Sequence, residues 1–207
     1  VGSEMCIRDS ILPWPEQHPI PESHPNQFCQ RIYKFLRTRF TQQKQISPAF
    51  NIFADHPEIS GEEYETSKKI VTLLQAHGYQ TEYPFAGLDT AFKGVYGPDS
   101  HKYKVAILTE YDALPEIGHA CGHCLSGSIS VLAGLATKDL QDELNADIHI
   151  IGTPIEETDG AKCTMVEKGI FDHYDMAIMV HLYNSTLLTP KLQGLASYLS
   201  LIHISEP

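Results

Sequence analysis

The chain has 207 residues, of which 42% are hydrophobic, and this share is too high for a disordered chain. Its 14 Gly and 13 Pro are too few for a collagen-like or low-complexity chain. A formal net charge of −11, from 15 Lys and Arg against 26 Asp and Glu, argues against nucleic-acid binding, which needs a basic face. Since no apolar run approaches the roughly 20 residues that span a bilayer, we expect a globular protein of about one domain, without nucleic acid or membrane as a partner.

The two ends of the chain have the pattern of translated adaptor DNA. Residues 4–10 spell EMCIRDS and residues 199–205 spell LSLIHIS. A DNA sequence that encodes the first segment encodes the second when it is read as its reverse complement. We therefore assign residues 1–10 and 199–207 to an adaptor-like artefact and expect the sequence between them to come from a longer gene product.

The first predicted elements are helices. Phe, Ile and Leu at helical spacing predict an amphipathic helix over residues 26–45, and Ser47-Pro48 begins another. A capping box at residues 60–63 predicts the start of a third helix, which ends at His77-Gly78.

From residue 79 onward the pattern predicts short strands and helices. The strands are expected at residues 79–83, 91–96, 103–109, 148–152 and 176–180, and the helices at residues 125–136 and 161–168. The last three strands and the two helices form a β-α-β-α-β series, which is typical of a parallel sheet. We therefore predict an α/β fold with a mainly parallel sheet and helices on both faces.

Thiol, imidazole and carboxylate side chains follow the strands of this series. They are Asp112, Cys121 and His123 after the first strand, Glu156 and Glu157 after the second, and His181 at the end of the third. The carboxyl ends of parallel strands meet at one edge of a sheet, and the mixture of thiolate, imidazole and carboxylate suits ions such as zinc. A lone histidine or glutamate pair is more often structural, but the convergence of all three types favours a metal site.

Three motifs resemble those of the co-catalytic metallo-amidohydrolases of peptidase family M20. They are EYDALPEIGHACGH at residues 110–123, GTPIEE at residues 152–157 and MVH at residues 179–181. The resemblance is to the branch with hippurate hydrolase, auxin-conjugate hydrolases and aminobenzoyl-glutamate hydrolases, which HPEIS and GLDTAF also match. It covers roughly residues 51–196 and implies a zinc-peptidase-like catalytic domain that is incomplete.

The resemblance also implies residue roles. Two divalent ions, zinc or manganese, would be bridged by Cys121, and the remaining ligands visible in this sequence would be His123, Glu157 and His181. Glu156 would be the general base that takes a proton from the attacking water and passes it to the leaving amine. Asp112 would hold the tautomer of His123.

The family's last metal-ligating histidine and its lid have no counterpart in this sequence, since His203 lies in the adaptor-like tail. We therefore expect residues 11–194 to be the N-terminal part of the catalytic domain, residues 195–198 to begin the missing lid and dimerisation domain, and the 207 residues alone to be inactive. The full-length protein would be a homo-oligomer that cleaves N-acyl amino acids, aminobenzoyl-glutamate-like conjugates or small dipeptides. Scattered cysteines favour the cytoplasm.

Cys124 stands where the family more often has Asn or Asp, and it creates an alternative function. With Cys121 it forms the Cys-Gly-His-Cys tetrad of protein disulfide isomerases, which would exchange disulfides at a helix start. The neighbouring residues differ from those enzymes, and this interpretation leaves Glu156 and Glu157 unexplained. A third class, a non-enzymatic metal-binding or scaffold protein, would keep the ligands but need no base beside Glu157.

Overall fold

A computed structural model describes residue 54 and residues 56–183. The helices predicted before residue 54, the boundary at residues 195–198 and both adaptor-like ends lie outside the described residues. The described helices are α1 (Tyr64–Ala76), α2 (His123–Thr137), α3 (Gln141–Leu144) and α4 (Ala161–Glu167), with a 3-10 turn at Lys138–Leu140. The strands are β1 (Gln80–Glu82), β2 (Phe92–Val95), β3 (Tyr103–Thr109), β4 (Ala146–Gly152) and β5 (Met176–Ile178). None of the described helices has the length and apolar character to cross a membrane.

The five strands form one mixed sheet in the order β1-β2-β4-β3-β5. β3 pairs in parallel with β4 on one side and with β5 on the other, which confirms the predicted β-α-β-α-β unit. β1 and β2 were predicted as strands without a direction. They extend the sheet antiparallel, through β2 against β4 and β1 against β2. The α/β class is therefore confirmed, with its parallel part around β3.

The core lies on both faces of β4, which is buried along its whole length. Ile150 belongs to a cluster with Leu74 of α1 and Val131 of α2. The next residue, Ile151, belongs to a second cluster with Met165 of α4. Because successive side chains of a strand point to opposite faces, α1 and α2 cover one face and α4 covers the other, as predicted.

Helix α2 lies unusually close to the sheet because it has glycine where it crosses β3 and β4. A Cβ atom at Gly127 would clash with the carbonyl oxygen of Glu110, and one at Gly134 would clash with the side chain of Ile150. The helix begins at His123. This close packing therefore holds His123 near the carboxyl end of β3.

The predicted capping box at the start of α1 is wrong, although the helix and its end at His77-Gly78 are confirmed. The hydroxyl of Ser60 lies 2.9 Å from that of Thr158 and makes no cap hydrogen bond. The carboxylate of Glu58 instead accepts hydrogen bonds from the first-turn N–H groups of Glu65 and Thr66, at 3.0 and 2.6 Å. A carboxylate at this end of a helix also interacts favourably with the helix dipole.

Candidate metal centre

His123 lies at the centre of a cluster of acidic side chains beyond the carboxyl ends of β3, β4 and β5. Its Nε2 atom is 3.6 Å from Glu110 Oε2, 3.9 Å from Glu156 Oε2 and 3.8 Å from Glu157 Oε1. The ring of His181 stands edge-on to that of His123, and His181 Nε2 is 3.9 Å from Glu110 Oε2. The structure thus brings together the two histidines and the glutamate pair that the sequence analysis named.

Cys121 joins this cluster through Glu157. The hydrogen bond of its thiol to the Glu157 carboxylate, with burial and the neighbouring carboxylates, raises the pKa of Cys121 to about 11. A thiol-disulfide oxidoreductase needs the opposite shift, towards a thiolate at neutral pH. Cys124 packs against the core, and burial raises its pKa as well. The surroundings of these cysteines do not favour disulfide exchange.

Asp112 connects His123 to the loop that follows β4. Its Oδ1 is 3.0 Å from His123 Nδ1, and its Oδ2 accepts a hydrogen bond of 2.9 Å from the Glu157 N–H. Burial opposes ionisation of Asp112, but these two hydrogen bonds outweigh it, so the pKa of Asp112 lies below its usual range. Since an ionised carboxylate only accepts, His123 donates from Nδ1 and turns Nε2 towards the cluster, as a metal-binding histidine does.

Three atoms of this cluster are buried without a hydrogen-bond partner among the described residues: Glu110 Oε2, His123 Nε2 and Glu157 Oε1. Such atoms are costly unless another group binds them. Two ligands of one tetrahedral zinc ion are separated by roughly 3.3–3.6 Å. The distance from His123 Nε2 to Glu110 Oε2 lies within this range, and the distance to Glu157 Oε1 is slightly longer. Two sets of ligand atoms lie within 4.8 Å of one another: Glu110, His123 and His181, and His123, Glu156 and Glu157. The residues present therefore fit a divalent cation.

The sequence analysis gave no role to Glu110 or Lys162. Glu110 is 1% exposed, and its Oε1 accepts a hydrogen bond from Lys162 Nζ, which also lies 4.0 Å from Glu156 Oε1. A charged residue directly after the buried strand β3 was the available signal for Glu110. Lys162 carried no such signal, because a lysine in the first turn of a short helix is usually solvated.

These ligand-bearing segments lie in the part of the chain that matches a family model. The model for peptidase family M20/M25/M40 matches residues 106–196. This stretch of the chain belongs to peptidase family M20/M25/M40.

Curated relatives of this chain include two hydrolases. It is 32% identical over 137 residues to the Xaa-Arg dipeptidase of Mus musculus. This aligned stretch covers 60% of this chain and 32% of that protein. It is 28% identical over 172 residues to a p-aminobenzoyl-glutamate hydrolase chain of Escherichia coli strain K12, which covers 73% of this chain and 35% of that protein. The chain spans about a third of the length of these relatives.

Solved structures share the fold of this chain. A dinuclear metal-binding peptidase of the M20 family from Bacillus subtilis matches with a TM-score of 0.57 and 23% identity, over 65% of this chain and 41% of that one. An aminobenzoyl-glutamate utilization protein from Klebsiella pneumoniae matches with a TM-score of 0.56 and 19% identity, over 71% and 46%. At these identities the likeness establishes the fold alone.

The M20 loop that carries Glu156 and Glu157 begins with a left-handed residue. Ile155 has a φ of +59°, which costs a side chain branched at Cβ about 1–2 kcal/mol. Its N–H donates a hydrogen bond of 3.0 Å to Glu63 Oε1. Glu63 is fully buried at the start of α1 and also accepts hydrogen bonds from the Gly61 N–H and the Thr90 hydroxyl. Glu63 therefore holds the loop in this conformation.

Glu63→Ala is expected to lower the free energy of unfolding by about 3 kcal/mol or more, because it leaves three buried or half-buried donors without their acceptor. Glu63→Gln keeps the shape and one acceptor oxygen, so its loss is expected to be smaller. Urea denaturation of the two variants measures both values. Glu62→Ala removes an exposed neighbouring carboxylate as a control. A loss in Glu63→Ala no greater than in Glu62→Ala would contradict this role of Glu63.

Proposed function

We propose that this chain carries the metal-binding part of a metal-dependent amidohydrolase. Its substrates would be N-acyl amino acids, aminobenzoyl-glutamate-like conjugates or small dipeptides, in keeping with the names of the two curated relatives. The observation that carries the proposal is a group of three buried atoms, on Glu110, His123 and Glu157, that have no hydrogen-bond partner in the part of the chain that the structure describes. Hydrogen-bond donors or acceptors are rarely left unpaired in this way unless a ligand binds them.

Two divalent ions, zinc or manganese, are the proposed cofactors. Cys121 would bridge them, and the further ligands would be His123, Glu157 and His181. When bound, the ions would polarise the scissile carbonyl group and increase the acidity of the attacking water. Asp112 contributes by orienting His123 through Nδ1 and by holding the backbone of Glu157.

Glu156 is the proposed general base. Its side chain is 35% exposed, whereas that of Glu157 is 15% exposed, so the Glu156 carboxylate is the more open of the two to water and substrate. It would take the proton of the attacking water and pass it to the leaving amine. Glu157 would remain a ligand, because its Oε1 is buried and its backbone is fixed by Asp112.

The cytoplasm is the proposed location, and the whole protein is proposed to be a homo-oligomer. The cysteines that the structure describes, Cys121, Cys124 and Cys163, are all free. Free thiols are typical of a reducing compartment.

Hydrolysis of aminobenzoyl-glutamate, N-acetyl amino acids and dipeptides tests this function, with the protein in the longest form that its gene encodes. Release of the free amine is measured before and after removal of metal by a chelator. We expect chelation to abolish hydrolysis, and added zinc or manganese to restore it. Hydrolysis that persists unchanged in the chelated protein would contradict the proposal, as would the absence of hydrolysis with every substrate of the panel.

A further inference from the structure

Glu110 is the acidic side chain of the cluster to which neither the motifs nor the proposed mechanism gives a role. It directly follows β3 and is 1% exposed. Its two carboxylate oxygens have different surroundings. Oε1 is bound by Lys162, whereas Oε2 is buried without a hydrogen-bond partner among the described residues. This second oxygen lies 3.6 Å from His123 Nε2 and 3.9 Å from His181 Nε2.

We propose that Glu110 is a metal ligand, through Oε2, of the ion that His123 and His181 hold. The inference rests on the proposed function, since the ion belongs to that site. The three ligand atoms lie within 4.8 Å of one another, so one divalent cation can contact all of them after small side-chain rotations. Carboxylate oxygen and imidazole nitrogen are both ligands that zinc and manganese accept.

Lys162 is the positioning residue for this ligand. A metal-binding carboxylate usually has its other oxygen held by a hydrogen bond, which orients the ligand. The bond from Lys162 Nζ to Glu110 Oε1 has this arrangement and leaves Oε2 directed at the two histidines.

An ion pair with Lys162 does not by itself account for the position of Glu110. The Lys162 side chain is 29% exposed, so a partner at the surface would serve it equally well. The ion pair occupies Oε1 only. Burial of Oε2 without a partner would then cost about 1–3 kcal/mol, a cost that a bound cation removes.

The test measures cobalt(II) binding by absorption titration to the metal-free protein in the longest form that its gene encodes. Glu110→Gln keeps the size of the side chain and an oxygen for Lys162. We expect it to weaken cobalt(II) binding by about 10-fold or more and to change the ligand-field spectrum, since loss of hydrogen-bond partners of ligands alone costs 10- to 100-fold. Glu116→Gln, which removes the same charge from an exposed residue, is expected to leave affinity and spectrum unchanged.

Lys162→Met distinguishes between two roles of Glu110, that of a metal ligand and that of an ion-pair partner of Lys162. If Glu110 is a ligand, this variant binds cobalt(II) more weakly, because Glu110 is no longer oriented, but keeps the ligand-field spectrum that Glu110→Gln loses. If Glu110 only pairs with Lys162, both variants lower the stability of the chain and neither changes the spectrum, which would overturn the proposal. Should Glu110→Gln fail to fold, Glu110→Asp retains the charge but withdraws the carboxylate by one methylene, and it is expected to bind cobalt(II) more weakly with an unchanged circular dichroism spectrum.

The unsubstituted chain distinguishes a failure of this proposal from a failure of the proposed function. If that chain does not bind cobalt(II), both the metal centre and the role of Glu110 are wrong. If it binds cobalt(II) and Glu110→Gln binds it equally tightly with the same spectrum, only the role of Glu110 is wrong.

Discussion

Glu156→Gln is expected to lower the rate of amide hydrolysis by roughly 100-fold or more while the protein keeps its metal ions. The amide of glutamine cannot take a proton from water at neutral pH, so the attacking water loses its acceptor. Metal binding should persist, because the buried Glu157 Oε1 and His123 Nε2 remain in place. The rate with an N-acyl amino acid or dipeptide and the metal content are measured on the same preparation.

Glu157→Gln is the matched variant, since it makes the same chemical change in the adjacent residue. It is expected to lose metal as well as activity, because it removes the proposed ligand. A Glu156→Gln protein that hydrolyses substrate at the parental rate would show that another group is the base. Loss of metal from Glu156→Gln, but not from Glu157→Gln, would reverse the two assignments.

Cys121→Ser is expected to lower both metal content and hydrolysis, by at least about 10-fold in metal affinity. A neutral hydroxyl is a poor substitute for a thiolate between two cations. The thiol of Cys121 already contacts Glu157, so the substitution acts within the cluster itself. Equilibrium dialysis against zinc measures the affinity, and the rate with the same substrate is measured in parallel.

Cys124→Asn is the control for this substitution. It is expected to leave metal content and hydrolysis largely intact, because Cys124 packs against the hydrophobic core. A thiol-disulfide oxidoreductase makes the opposite prediction. Without the second cysteine its mixed disulfide could not be resolved, and turnover would stop. Parental metal affinity in Cys121→Ser would contradict the bridging role.

The parallel part of the sheet could be predicted from the sequence, whereas the direction of β1 and β2 could not. β3 and β4 are apolar runs followed by acidic, thiol or imidazole side chains. This local pattern indicates buried parallel strands. The antiparallel pairing of β2 depends on a distant contact, in which the ring of Phe92 covers Gly152 across the sheet. The local pattern of β2 contains no information on that partner.

The candidate site shows the same division between local and distant contacts. Cys121, His123 and the glutamate pair could be placed at one edge because they follow successive strands. Glu110 was missed because its surroundings come from distant residues: α2 passes its carbonyl oxygen at Gly127, and Lys162 of another helix binds its carboxylate. The prediction of a capping box was wrong for a related reason, because the Ser60 hydroxyl forms a hydrogen bond with Thr158, a residue 98 positions away.

The hydrogen bond between Glu63 and Ile155 joins residues 92 positions apart. The left-handed turn before the glutamate pair is unfavourable by itself, so it forms only once α1 has docked and brought its buried carboxylate to the loop. The glutamate pair would therefore reach its final geometry late in folding, after the long-range contacts are complete. Transient undocking of α1 would release the loop as well. Cation uptake by a refolding chain should then follow, rather than guide, the assembly of the sheet and its helices.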